Sequence, residues 1–171
     1  TAITGTLRNL TLSQKPGEDQ HSGIFIVGGS LLIEDCTITS RSGSGISILE
    51  QAVPVIRNNL IQGSRFSGIA VFGESVPLIL GNLITANDGN GIYLEGQSSG
   101  VFEQNIIQTN GRHGMSITDG STPTVRNSQI YTNTEYGMLV TDGSIPTISN
   151  NQIQANKSDG IYVTDAAGTY S

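Results

Sequence analysis

A glycine followed by a large aliphatic residue returns at Gly23, Gly45, Gly68, Gly91, Gly114, Gly137 and Gly160, with spacings of 22 and then five times 23 residues. The copies agree best late in the chain, where residues 114–133 and 137–156 are identical at 12 of 20 positions. A fixed period of about 20 to 50 residues marks a solenoid, whose units cannot bury an apolar face alone and stack on their neighbours to do so. This repeat therefore dictates the architecture before any single residue is considered.

Taking the glycine as position 1, positions 2 and 4 are apolar throughout, for example Ile92 and Leu94, or Met115 and Ile117, while position 3 varies. That is strand alternation. Position 12 is apolar again (Ile56, Ile79, Phe102, Val125, Ile148, with Ile33 after a one-residue gap), and position 17 is always Ile (Ile38, Ile61, Ile84, Ile107, Ile130, Ile153). No segment keeps apolar residues at helical spacing over three turns. Each coil thus holds three short extended segments, each stacking in parallel on its equivalent one coil away. The expected fold is all-β, a single-stranded right-handed parallel β-helix of about seven 22–23-residue coils. Handedness follows from the strong bias of parallel connections.

Position 15 carries Cys36, Asn59, Asn82, Asn105, Ser128 and Asn151, which suits an inward ladder of hydrogen-bonded side chains at a bend. Asn87, Asn110, Asn133 and Asn156 at position 20 read instead as turn residues that tolerate left-handed backbone. Residues 7–12 align with 33–38, so the first coil contains about four extra residues within 13–22, expected to protrude as a loop. The expected organisation is one β-helix domain over residues 1–171, part of a larger protein.

Charged residues make up only 13% of the chain, against about 25% in an ordinary domain, so Ser, Thr, Asn, Gln and Gly solvate the surface. A net charge of −6 opposes attraction to nucleic acid phosphates. No run approaches the roughly 20 apolar residues of a membrane span. The single Cys36 takes the place of the ladder residue, as a buried structural thiol. Nothing in it suggests an oxidised scaffold, and the sequence leaves the compartment undetermined, with a lean toward the cytoplasm.

The string from Gly137 to Ile153, with its GMLVTDG, PTI and NNQI pieces, resembles the parallel β-helix repeats grouped with carbohydrate-binding proteins and sugar hydrolases, a pectin lyase-like set. LRNLTLSQ (7–14), SLLIEDCTITS (30–40) and SGSGISI (42–48) resemble the β-helix domains of the F-box 11 type and of the Shc SH2-binding spindle proteins. The second resemblance implies a binding role. Such folds carry lyases, hydrolases, epimerases and silent scaffolds alike, so function has to come from the outward residues.

Those residues are positions 3 and 5 of the first strand. In the first four coils they include Phe25, Val27, Leu49, Ala70, Phe72 and Tyr93, expected to form one exposed apolar strip. Contiguous apolar surface marks a partner site. The leading expectation is a non-catalytic scaffold that binds a protein or peptide, or a second copy of itself, through this strip. The alternative is carbohydrate binding or turnover, with Tyr93, Tyr162, Phe25 and Phe72 as stacking platforms and Glu95 as the sole acid or base on the face. Glycoside cleavage requires two facing carboxylates, and a second is missing. If an enzyme, the chain would be a polysaccharide lyase, glycoside hydrolase or epimerase.

Asp119, Asp142 and Asp165 recur at position 6 and would be the residues to hold a cation such as calcium. Thr-Asp-Gly is good turn chemistry, however, and the calcium-binding nonapeptide is absent. No metal and no cofactor are expected. His113, beside Arg112 in a Gly-bounded turn, reads as a solvated turn residue.

Overall fold

The computed structural model describes residues 4–17 and 19–165. It contains three parallel seven-stranded sheets and, among the described residues, no helix. The first sheet runs from Thr4–Arg8 to Thr147–Ser149, the second from Thr11–Gln14 to Gln152–Gln154, and the third from Ile24–Val27 to Ile161–Val163. Each strand pairs only with its equivalents one coil before and after, as in Ile69, Ile92 and Met115. The register follows the repeat, and the seven coils expected from the glycines are present.

The interior is a stack of like residues. Ile38, Ile61, Ile84, Ile107 and Ile130 from position 17 are all fully buried, as are Ile56, Ile79, Phe102 and Val125 from position 12. Each such side chain contributes roughly 1.5–3 kcal/mol of burial. This explains why the sequence repeats: a change in size at one level is felt by the levels on both sides.

The repeated glycine is required by close approach. A Cβ on Gly91 would lie 2.4 Å from Ile107 Cγ2 and 2.6 Å from the carbonyl oxygen of Gly114. Its equivalents at Gly114 and Gly137 meet the same pair of obstacles, an isoleucine methyl and the next coil's carbonyl. The chain can bend this tightly into the third sheet only where no side chain exists.

All three corners follow one rule: residues with left-handed backbone turn the chain, and the next side chain points inward. At the first corner Asn58, Gln104 and Asn127 have φ of 53° to 55°. Asn59, Asn82 and Asn105 follow at position 15 and form the expected ladder, each Nδ2 donating to a carbonyl one coil back, such as Asn82 to Ile56 at 2.9 Å. Cys36 ends this ladder, buried, with its N–H donating to Asn59 Oδ1.

At the second corner the structure corrects the sequence reading. The left-handed residues are Ala86, Thr109, Thr132 and Ala155, one place before the asparagines. Asn87, Asn110 and Asn133 are therefore buried and build a second ladder, linked from Nδ2 to Oδ1 at 3.0, 3.0 and 2.9 Å. The third corner uses paired left-handed residues, such as Asp119 and Gly120, followed by buried Ser75, Ser98 and Ser121.

Across the first sheet, buried Glu34 lies between Arg8 and Arg57, accepting from Arg57 Nε at 2.7 Å and from the Arg8 guanidinium. Glu103 pairs with Arg126 at 2.9 Å. These facing opposite charges hold adjacent coils in register.

Candidate functional site

The outer line of the third sheet reads Phe25, Ser47, Ala70, Tyr93 from coil to coil, because these residues are cross-strand neighbours. Two small residues thus separate two rings, leaving a notch roughly 14 Å long at strand spacing. Its floor is Ser47 and Ala70, both buried. Ala70, expected in the exposed strip, is only 3% accessible; it is shaded by the larger side chains around it and forms the base of a recess.

Phe72, immediately after the strand Ile69–Val71 that holds Ala70, walls one side and packs edge-on against Tyr93, with ring centroids 5.9 Å apart and planes at 61°. Phe66 walls the other side. It precedes the strand by a turn, at a repeat position otherwise held by His21, Gly43, Gly89, Arg112, Glu135 and Ser158. Sequence reasoning passed over Phe66 because it breaks the repeat; its being the one large apolar residue there was the available signal.

The insertion in the first coil completes the recess. Residues 13 and 14 lie in the strand Thr11–Gln14. The following segment folds back so that the His21 carbonyl accepts from Ser42 Oγ at 3.1 Å and from Ser40 Oγ, while Ser22 Oγ meets Ser47 Oγ at 2.7 Å. Gln20 and Ser22 then line the recess with Ser44 and Ser67. Its volume is about 300 Å³.

Tyr93 sits at the joint between this recess and a second, of about 420 Å³, that also shares Phe66 and Ser67 and adds Arg65, Asp88, Asn90 and Arg112. The Tyr93 hydroxyl donates to Glu95 Oε2 at 2.6 Å. Burial first, and then the Glu95 carboxylate, push the phenol well above its ordinary value, so it stays neutral and its ring is held fixed. Glu95 is occupied by this bond and lines neither recess.

Of the remaining strip residues, Val27 and Leu49 lie outside the notch, while Phe25 lines both it and a neighbouring recess. Phe25 and Val27 are 62% and 50% exposed at the first coil, where they border a third, more apolar recess with Leu31; Leu49 is half-buried.

His113 is another correction. It is buried, stacked on Tyr136 at 5.3 Å, and Tyr136 stacks in turn on Tyr162 at 4.7 Å. Its Nδ1 accepts from the Tyr136 N–H at 3.3 Å and its Nε2 faces Glu135 at 3.1 Å. Burial lowers its pKa, against an opposing pull from Glu135. It is a structural imidazole.

The three aspartates do not converge. Asp119 accepts from the Gly96 N–H at 3.1 Å, and Asp142 accepts from Thr141 Oγ1 at 3.0 Å and from Thr118 Oγ1. Asp165 is exposed at the last described position. Among the described residues, no three His, Cys, Asp or Glu side chains are grouped to hold a metal ion.

The family described as the right handed beta helix region matches residues 6–171. This chain belongs to that family. Among solved structures it is similar to the A-module of mannuronan C-5 epimerase AlgE4 from Azotobacter vinelandii, with a TM-score of 0.61 and 19% identity over 75% of this chain. The match spans 43% of the epimerase module, and at that identity it shows the shared fold. No curated protein matches. Among the described residues no helix is long and apolar enough to cross a membrane.

Proposed function

We propose that the notch on the third sheet binds a carbohydrate chain. The observation that carries this reading is the lining: aromatic walls from Phe25, Phe66, Phe72 and Tyr93 around a floor and rim of Ser44, Ser47, Ser67, Ser22 and Gln20. Sugars present apolar C–H faces and hydroxyl edges together, and a site of rings interleaved with hydroxyl and amide groups answers both. A protein-docking face is typically broader and flatter. The similar solved structure is a module whose named substrate is a glycan, which supports the same class of ligand.

The role is recognition. Glycoside cleavage by paired carboxylates needs separations of about 5 to 9.5 Å across the scissile bond. The first recess presents no carboxylate, and the second presents Asp88 alone. A glycan array probed with the wild-type protein and with Phe72→Ala tests the reading. A signal that falls roughly tenfold or more in the variant supports it, since the lost stacking is worth about 1.4 kcal/mol or more. No signal on any glycan, or equal signals from both proteins, would refute it.

A second reading, self-association through the first coil, is favoured by the exposure of Phe25 and Val27 beside the apolar recess there. Sedimentation velocity of wild type and Phe25→Ser across a wide concentration range tests it; a monomer throughout eliminates it.

A further inference from the structure

The second recess differs in kind from the first. Where the first offers hydroxyls and one amide, the second is lined by both Arg65 and Arg112, together with Phe66 and Tyr93. In a chain of net charge −6 with eight Lys and Arg, two cations in one hollow is a concentration of positive charge.

Three of the other cations are committed. Arg8 and Arg57 clasp Glu34, and Arg126 pairs with Glu103. Arg65 has no carboxylate partner among the described residues; it lies over the Phe66 ring at 5.6 Å and reaches the Gly17 carbonyl at 3.5 Å. Apart from the Nη1 bond to Gly17, its guanidinium N–H groups have no acceptor among the described residues. Arg112 is 60% exposed and touches Glu135 only at 3.7 Å, while Glu135 is bonded more closely by His113 at 3.1 Å.

We infer that this hollow reads a negative charge on the glycan, a carboxylate or a sulfate ester on the sugar next to the one held in the notch. The inference rests on the glycan reading above and adds the class of sugar. A planar guanidinium offers paired N–H donors that match two oxygens of a carboxylate or sulfate, and charge-assisted bonds of this type are stronger than neutral ones. Asp88 and Asn90, in the same hollow, accept from and donate to neighbouring hydroxyls. Asp88 also repels a second anion, which fixes the charged group toward the arginines. Tyr93, shared by both recesses, is the ring across which the chain passes from the neutral to the charged half.

The test is titration calorimetry with three soluble hexasaccharides: one of a uronic acid, the same one after reduction of its carboxyl groups to alcohols, and that neutral product carrying sulfate esters. Wild type, Phe72→Ala and the double variant R65Q/R112Q are compared, with circular dichroism to show that each is folded. The expected result is binding of at least one anionic hexasaccharide roughly tenfold or more tighter than the neutral one, a gain that added salt reduces and R65Q/R112Q removes. In R65Q/R112Q the ratio of anionic to neutral affinity falls toward one, whereas Phe72→Ala weakens neutral and anionic binding alike. Preference for carboxylate over sulfate, or the reverse, names the group. Equal binding of all three by wild type, or a charge preference that survives in R65Q/R112Q, overturns the inference while leaving the glycan reading in place. No binding of any of the three overturns the inference, and the glycan array then decides the reading on which it rests.

Discussion

Replacing Asn110 by Ala should cost the protein about 4 kcal/mol, although the residue looks from its sequence like part of a surface turn. Its Oδ1 accepts from the Asn87 N–H at 3.2 Å and from Asn87 Nδ2 at 3.0 Å, and its Nδ2 donates to the Ile84 carbonyl at 3.3 Å and to Asn133 Oδ1 at 3.0 Å. Alanine removes all four bonds in a fully buried place and leaves the Asn87 N–H without a partner. At about 1 kcal/mol net per bond, the sum is a large share of a stability of about 5–15 kcal/mol. Asn110→Ser provides an internal control, because serine already serves in the equivalent ladder: Ser128 Oγ accepts from the Asn105 N–H at 3.1 Å. It restores an acceptor for the Asn87 N–H and should recover about half of the loss. Urea unfolding followed by circular dichroism, compared at constant m, measures both. A change of about 0.5 kcal/mol or less for Asn110→Ala is the behaviour of an exposed residue, and it would refute the second ladder.

Gly91→Ala should disrupt the third sheet, because its Cβ would meet Ile107 and the Gly114 carbonyl inside contact distance; the check is the loss of soluble folded protein relative to Gly17→Ala, where nothing lies within 4 Å. Glu34 is held below its ordinary value of 4.5 chiefly by the hydrogen bond from Arg57, so its stabilisation is complete above pH 4.5 and disappears as pH falls through the folded value. Acid unfolding of Glu34→Gln should therefore lack that part of the wild-type pH dependence. His113 is lowered from 6.5, chiefly by burial, so the unfolded chain takes up its proton first. Stability is full above pH 6.5 and declines as pH falls from there toward the folded value, and urea midpoints for His113→Gln should not show this decline.

The coil, its three strands and the order of its sheets are legible in the sequence because each inward position repeats seven times or nearly so. The second asparagine ladder is not, for a specific reason. At the first corner the left-handed residue is often Asn or Gly, which signals itself, whereas at the second it is Gly only at Gly63 and otherwise Ala86, Thr109, Thr132 or Ala155, types that give no such signal. The conspicuous asparagine next to it then attracts the turn assignment. His113 misleads in the same way, with glycines on both sides suggesting solvent although the next coil's Tyr136 covers it.

The candidate site was half legible. Phe25, Phe72 and Tyr93 fall on the outer positions of the repeat, and alternation alone places them on one face. That Ala70 and Ser47 form a floor, and that Phe66, Gln20 and Ser22 close the sides, depends on how a turn and an insertion lie against the sheet. Those are tertiary facts without a period, and they turn a flat apolar strip into a notch.

The most direct test of the central claim is amide chemical-shift mapping of ¹⁵N-labelled protein titrated with the glycan that gives the strongest array signal. Carbohydrate binding at the notch gives shifts confined to the third-sheet face around Ser47, Ala70 and Tyr93, extending to Ser67 and Asn90, and little change along the first and second sheets. Shifts centred on those other sheets, or saturating shifts that leave Ala70 and Tyr93 unmoved, would contradict it.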